Sequence, residues 1–145
     1  MILRNIYSEK SKADDVQFVL DLIAKVGAEI PAADMDNVNI AGTSNGAALT
    51  YQIIIDTEAD RPFRRAFPMV SSLIGPQFHD DQFWSFAQSA EAGDTNVFNV
   101  AKTPGFADNF EYAHFHGTED VVINYYGQNP GPAFLSNAEV ISAQL

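Results

Sequence analysis

Gly42-Thr43-Ser44-Asn45-Gly46 sets one serine between two glycines, each two positions away. The preceding Asn37-Val38-Asn39-Ile40-Ala41 reads as a strand, and the following residues 47–55 read as a helix. A serine at such a strand-to-helix turn is the layout of a nucleophile elbow. The turn is tight, so side chains two places either side of the serine are expected to collide with neighbouring backbone, and glycine removes the collision. Ser44 is then presented beside the free N–H groups of a helix N-terminus. The chemistry that fits is attack of a hydroxyl on a carbonyl carbon, with the helix end holding the resulting oxyanion. The plainer alternative is a glycine-lined turn with an exposed serine.

More chemistry-bearing residues lie downstream in His114-Phe115-His116-Gly117-Thr118-Glu119-Asp120. In an open parallel sheet, active residues sit beyond the carboxyl ends of the strands. Asp120, after a third expected strand, suits a carboxylate that orients a histidine and stabilises it as imidazolium. It equally suits a carboxylate that caps its own loop. The chain's three histidines, His79, His114 and His116, all precede Asp120. His114 and His116 share a strand face, but no convincing further ligand accompanies them, so no metal is expected. His79-Asp80-Asp81 reads as a helix start. Trp84 and the phenylalanines around it suit core packing, with an acyl pocket as the alternative.

These residues need elements to position them. Ser11-Lys12-Ala13-Asp14 has the form of a capping box, and Val16, Val19, Leu20, Ile23 and Val26 then recur at helical spacing. Gly27 is expected to stop that helix in a left-handed cap. The first strand spans about Val38 to Ala41. Residues 65–72 read as the second strand, with Pro68 placing it at an edge or a strand end. Residues 80–90 read as a helix, and 93–109 as a looser segment. Residues 110–116 read as the third strand. Ser136-Asn137-Ala138-Glu139 is a full capping box, so a last helix is expected from about Asn137. Alternating strands and helices predict an α/β fold: a mainly parallel sheet of about three core strands flanked by helices, with right-handed crossovers.

Three blocks together carry a resemblance. They are Asp14-Asp15-Val16-x-Phe18-Val19, then Val38-x-Ile40-Ala41-Gly42-Thr43-Ser44-Asn45-Gly46-Ala47, then His114 to Asp120. In these blocks and their spacing the chain resembles the polyhydroxybutyrate depolymerase and feruloyl esterase group of α/β-hydrolases. The order serine then aspartate is that class's order. The resemblance implies that Ser44 is the nucleophile, Asp120 the triad acid and the backbone N–H of Asn45 one oxyanion donor. It implies hydrolysis of a small-molecule carboxylic ester through an acyl-serine, with no cofactor. In that group the triad histidine follows the aspartate beyond one more strand, and the second oxyanion donor comes from an earlier loop. Residues 1–145 therefore read as a single, truncated α/β-hydrolase domain. His116 is a catalytic candidate if it replaces the missing triad histidine; otherwise it supports its loop. A second chain supplying a histidine is another route. Lost neighbouring strands leave sheet edges exposed, so a homo-oligomer paired through them is expected. The rival readings are a catalytically inactive hydrolase fragment and a non-catalytic flavodoxin-like binding domain. Gly42-x-x-x-Gly46 lacks the endings of a P-loop and the spacing of a dinucleotide fingerprint.

Composition narrows the field further. A net charge of −11 argues against nucleic acid or an anionic membrane as partner, and no basic cluster exceeds Arg61, Arg64 and Arg65. Zero cysteines exclude disulfides, thiolate catalysis and zinc–thiolate sites. No apolar run approaches the roughly 18 residues of a membrane span. The N-terminus lacks the long apolar core of a signal peptide, whereas the resemblance implies a secreted parent.

Overall fold

The computed structural model describes residues 14–86, 98–104 and 110–127. The element order is α1 (Asp15–Glu29), β1 (Asn39–Thr43), α2 (Asn45–Thr57), β2 (Arg65–Met69), β3 (Phe78–His79), β4 (Gln82–Phe86), β5 (Phe98–Lys102) and β6 (Glu111–Tyr112). The strands form two sheets. One is parallel, in the order β1-β2-β6; the other is antiparallel, in the order β3-β4-β5. The expected α/β class with a three-stranded parallel sheet is observed. The second sheet was not expected. The helix foreseen from Asn137 lies outside the described residues.

Both ends of α1 differ from expectation. Asp14 is the N-cap, and its carboxylate accepts the Gln17 N–H at 2.9 Å, while Ser11 lies outside the described residues. Gly27 lies inside the helix, which runs on to Glu29. Pro31 supplies the stop, because the residue before a proline is pushed out of the helical region. Ile30 accordingly has φ −120° and ψ 87°. Val16, Val19 and Leu20 pack on the core, and α1 rests on α2.

Helix α2 is the hub. Every residue from Ala47 to Ile55 is buried, because α2 touches α1, β1, β2 and β4. Its polar members are paired. Gln52 accepts from Gln77 Nε2 at 2.9 Å and donates to Asp56 Oδ1 at 2.8 Å, while Gln77 Oε1 takes the Ile74 N–H at 3.1 Å. This link joins α2 to the edge of the antiparallel sheet.

Residues 82–86 form a strand rather than the expected helix. Phe83 and Ser85 are buried while Gln82 and Trp84 are only half-buried, a period of two. Asp80 and Asp81, with φ 53° and 56°, form the two-residue hairpin turn before it. His79 therefore ends a strand instead of starting a helix, and it stacks on Trp84 with centroids 5.1 Å apart.

Pro68 lies near the carboxyl end of β2, which is the middle strand of its sheet and not an edge. Ala113 N–H donates to Ala66 O at 3.2 Å and Phe115 N–H to Pro68 O at 3.1 Å. The alternation of the ladder turns residue 68 toward β6, where proline has no N–H to give. The β2–β6 pairing accordingly stops after Tyr112 and resumes as a single bridge at Met69 and Phe115.

Candidate functional site

Ser44, Val70 and His116 follow the carboxyl ends of three neighbouring parallel chains. Ser44 N–H donates to Met69 O at 2.9 Å, and Val70 N–H donates to Phe115 O at 2.8 Å. Ser44 forms the corner between β1 and α2, with φ 54° and ψ −118°. Few non-glycine residues adopt such angles, and they cost of order 1–3 kcal/mol. The corner is held by close backbone contact. A Cβ on Gly42 would lie 2.1 Å from Gly46 O and 2.7 Å from Ala47 N. A Cβ on Gly46 would meet nothing within 4 Å. The expected collision therefore exists at the first glycine and not at the second.

Ser44 is exposed and its hydroxyl makes no cap hydrogen bond. Its carbonyl accepts the Ala47 and Ala48 N–H groups at 2.9 and 3.1 Å. The Asn45 and Gly46 N–H groups precede these and are the two helix-end donors closest to the serine, without partners among the described residues.

Asp120 sits in the loop after the Phe115 bridge. Its Oδ1 accepts the Val122 and Ile123 N–H groups at 2.7 and 2.9 Å. Those two bonds hold its carboxyl below the usual carboxylate range. Its Oδ2 lies 3.7 Å from His116 Nε2, too far for a hydrogen bond.

The histidines are already occupied. His116 Nε2 lies 2.7 Å from Ile123 O, and a carbonyl only accepts, so Nε2 carries the proton. In that tautomer Nδ1 of His116 is an acceptor, facing His114 Nε2 at 3.4 Å. His114 Nδ1 in turn accepts from the Tyr51 hydroxyl, which lies 3.0 Å from the Tyr112 hydroxyl. One fixed carbonyl thus anchors a line of side chains from Tyr112 through Tyr51, His114 and His116 to the Asp120 loop. Burial, followed by the neighbouring His116, pushes His114 down to about 4. Burial is also the main cause raising both tyrosines. The His116 imidazole is fully buried, with 0 % exposure.

Geometry therefore gathers Ser44, Asn45, His116 and Asp120 at one end of the parallel sheet without hydrogen-bonding Ser44 to His116 or Asp120. Two strand spacings separate the β1 and β6 backbones, roughly 10 Å. Sequence reasoning missed Tyr51, Tyr112 and Val70. Tyr112, His114 and His116 alternate along one face, which was a readable signal for Tyr112. Val70, a β-branched residue at φ 57°, left no such signal. Among the described residues, no group of three histidine or acidic side chains gathers as a metal site, and no helix is long and apolar enough to cross a membrane. Comparison of the chain with protein-family models, with curated proteins and with solved structures finds no match.

Proposed function

We propose that this chain carries the nucleophile and oxyanion machinery of a serine ester hydrolase of the α/β-hydrolase type. Ser44 Oγ bonds to the ester carbonyl carbon, the C–O bond to the alcohol breaks, and an acyl-serine forms. The hydroxyl proton leaves with the alcohol. The Asn45 N–H donates to the oxyanion, and Asp120 is the acid of the triad. One observation carries this reading: a strained serine at φ 54° whose hydroxyl makes no cap hydrogen bond to justify the strain. The strand order β1-β2-β6, with serine after the first strand and aspartate after the third, supports the hydrolase assignment. No cofactor is needed for this acyl transfer.

A second reading is favoured by the histidines. His114 and His116 use both ring nitrogens within the buried line, and His79 Nδ1 lies 3.1 Å from Gly75 O on the antiparallel sheet. None stands ready to take the Ser44 proton. The chain is then a catalytically inactive hydrolase fragment, because loss of the base lowers a serine triad's rate by several orders of magnitude.

A fluorophosphonate probe and p-nitrophenyl acetate separate the two readings. Labelling of Ser44 with steady turnover supports the hydrolase. Labelling without turnover supports the inactive fragment. Absence of both, or turnover retained in Ser44→Ala, overturns the assignment of Ser44. The outer positions of β1 and β6 among the described strands suit pairing with another copy. A monomeric mass by light scattering would sink that homo-oligomer.

A further inference from the structure

The opposite end of the parallel sheet holds a second feature. The residues just before β1, β2 and β6 enclose a cavity of about 540 Å³. That volume falls in the range of small-ligand sites, roughly 300–1,000 Å³. Met35, Pro62, Phe63 and Phe110 give it apolar walls. Phe63 and Phe110 meet edge to face with centroids 6.1 Å apart. The strand length puts it roughly 17 Å from the Ser44 turn, five residues along β2.

Two cations converge on this apolar space in a chain whose net charge is −11. The Arg61 guanidinium lies 4.4 Å above the Phe110 ring. Arg64 has a buried Nε with no hydrogen-bond partner among the described residues. Glu111 Oε1 is 3.8 Å from Arg64 Nη2, but both Glu111 oxygens are taken by Arg65. The Arg64 backbone is fixed, because its N–H donates to Val38 O at 2.7 Å and its carbonyl takes the Glu111 N–H at 3.0 Å. The Arg64 guanidinium, with a buried Nε and only a long contact to a carboxylate already shared with Arg65, attracts a planar anion, and a carboxylate matches its fork. Asp36 lines the same cavity and penalises a second negative charge.

We propose that this cavity binds a small organic monocarboxylate with an apolar body, its carboxylate on Arg61 and Arg64 and its body against Met35, Pro62 and Phe110. The proposal does not rest on the chemistry of Ser44. Burial lowers the Arg61 pKa, in keeping with a desolvated site, while leaving an arginine charged.

The test is an amide NMR titration of the full chain with benzoate, with benzamide as its neutral isostere, and with inorganic phosphate. Benzoate is expected to shift the Arg64 and Phe110 amides, and benzamide to bind at least about tenfold more weakly. Phosphate is expected to bind more weakly than benzoate. Arg64→Gln and Arg61→Gln should each weaken benzoate by about fivefold or more. Equal affinity for benzoate and benzamide overturns recognition of the charge. Tighter binding of phosphate overturns the apolar body. Shifts confined to Ser44 and Asn45, or no shifts at all, overturn the site. The contrast among the three probes on the parent chain decides the matter even if a variant fails to fold.

Discussion

The Ser44 turn and the line from Tyr51 to His116 share one end of the parallel sheet and are built by opposite means. Ser44 is held by backbone, through Gly42 pressed against Gly46 and a ladder bond to Met69. Its hydroxyl makes no cap hydrogen bond. The line is held by side chains, and each ring nitrogen and phenol in it serves a neighbour. Backbone construction leaves a functional group available, whereas side-chain construction consumes it. That difference is why an available hydroxyl is easier to recognise here than an available imidazole.

The sharpest way to break the contrast is Gly42→Ala. Its Cβ meets backbone, which cannot swing aside, so a loss of about 3 kcal/mol or more is expected in urea unfolding. Labelling of Ser44 should vanish with it. Tyr51→Phe attacks the other construction. It strips His114 Nδ1 and the Tyr112 hydroxyl of their shared partner at a fully buried site, and should cost about 1–2 kcal/mol. Ser44 labelling should survive.

Acid probes the same line without mutation. His114 is held down to about 4 by burial and by His116, from an ordinary value of 6.5. The unfolded chain therefore takes up this proton first on acidification. The stability from a neutral His114 is present above about 6.5 and is lost as the pH falls toward about 4. Asp120, with a lowered pKa, loses its contribution at still lower pH. Asp56, raised mainly by burial, works in the opposite sense. A denaturation midpoint that falls between pH 7 and 4.5, with the His114 ring neutral by NMR until about 4, is the expected result.

The smaller effects return to the turn. Ser44→Gly should relieve the strain at φ 54° and stabilise by about 1 kcal/mol while abolishing labelling. Gly46→Ala, with open space around the new methyl, should change stability by less than about 0.5 kcal/mol. A large loss there would show that the two glycines are equivalent after all.

The legible parts of the molecule are those fixed by neighbours in sequence. Helical spacing from Val16 to Val26 marked α1, and the strand, glycine pair and helix around Ser44 marked the β1–α2 corner. The failures share another cause. Residues 82–86 carry aromatics that suit either period, and their strand is defined by a partner at 98–102. Its turn uses Asp80-Asp81 at positive φ, where asparagine or glycine is the usual signal. The Tyr51 contact to His114 spans 63 positions. The cavity at Arg61 and Arg64 needs three separate segments to converge. None of these follows from local pattern.

Pro68 gives the histidine line a further duty. A strand that slips by one residue turns all its side chains to the opposite face. Ladder bonds normally prevent this, yet the proline removes one beside residue 113. Tyr51 and Ile123, gripping His114 and His116 from opposite ends, then act as the alignment pins of that segment. They fix which way it faces, and hence where the Asp120 loop begins.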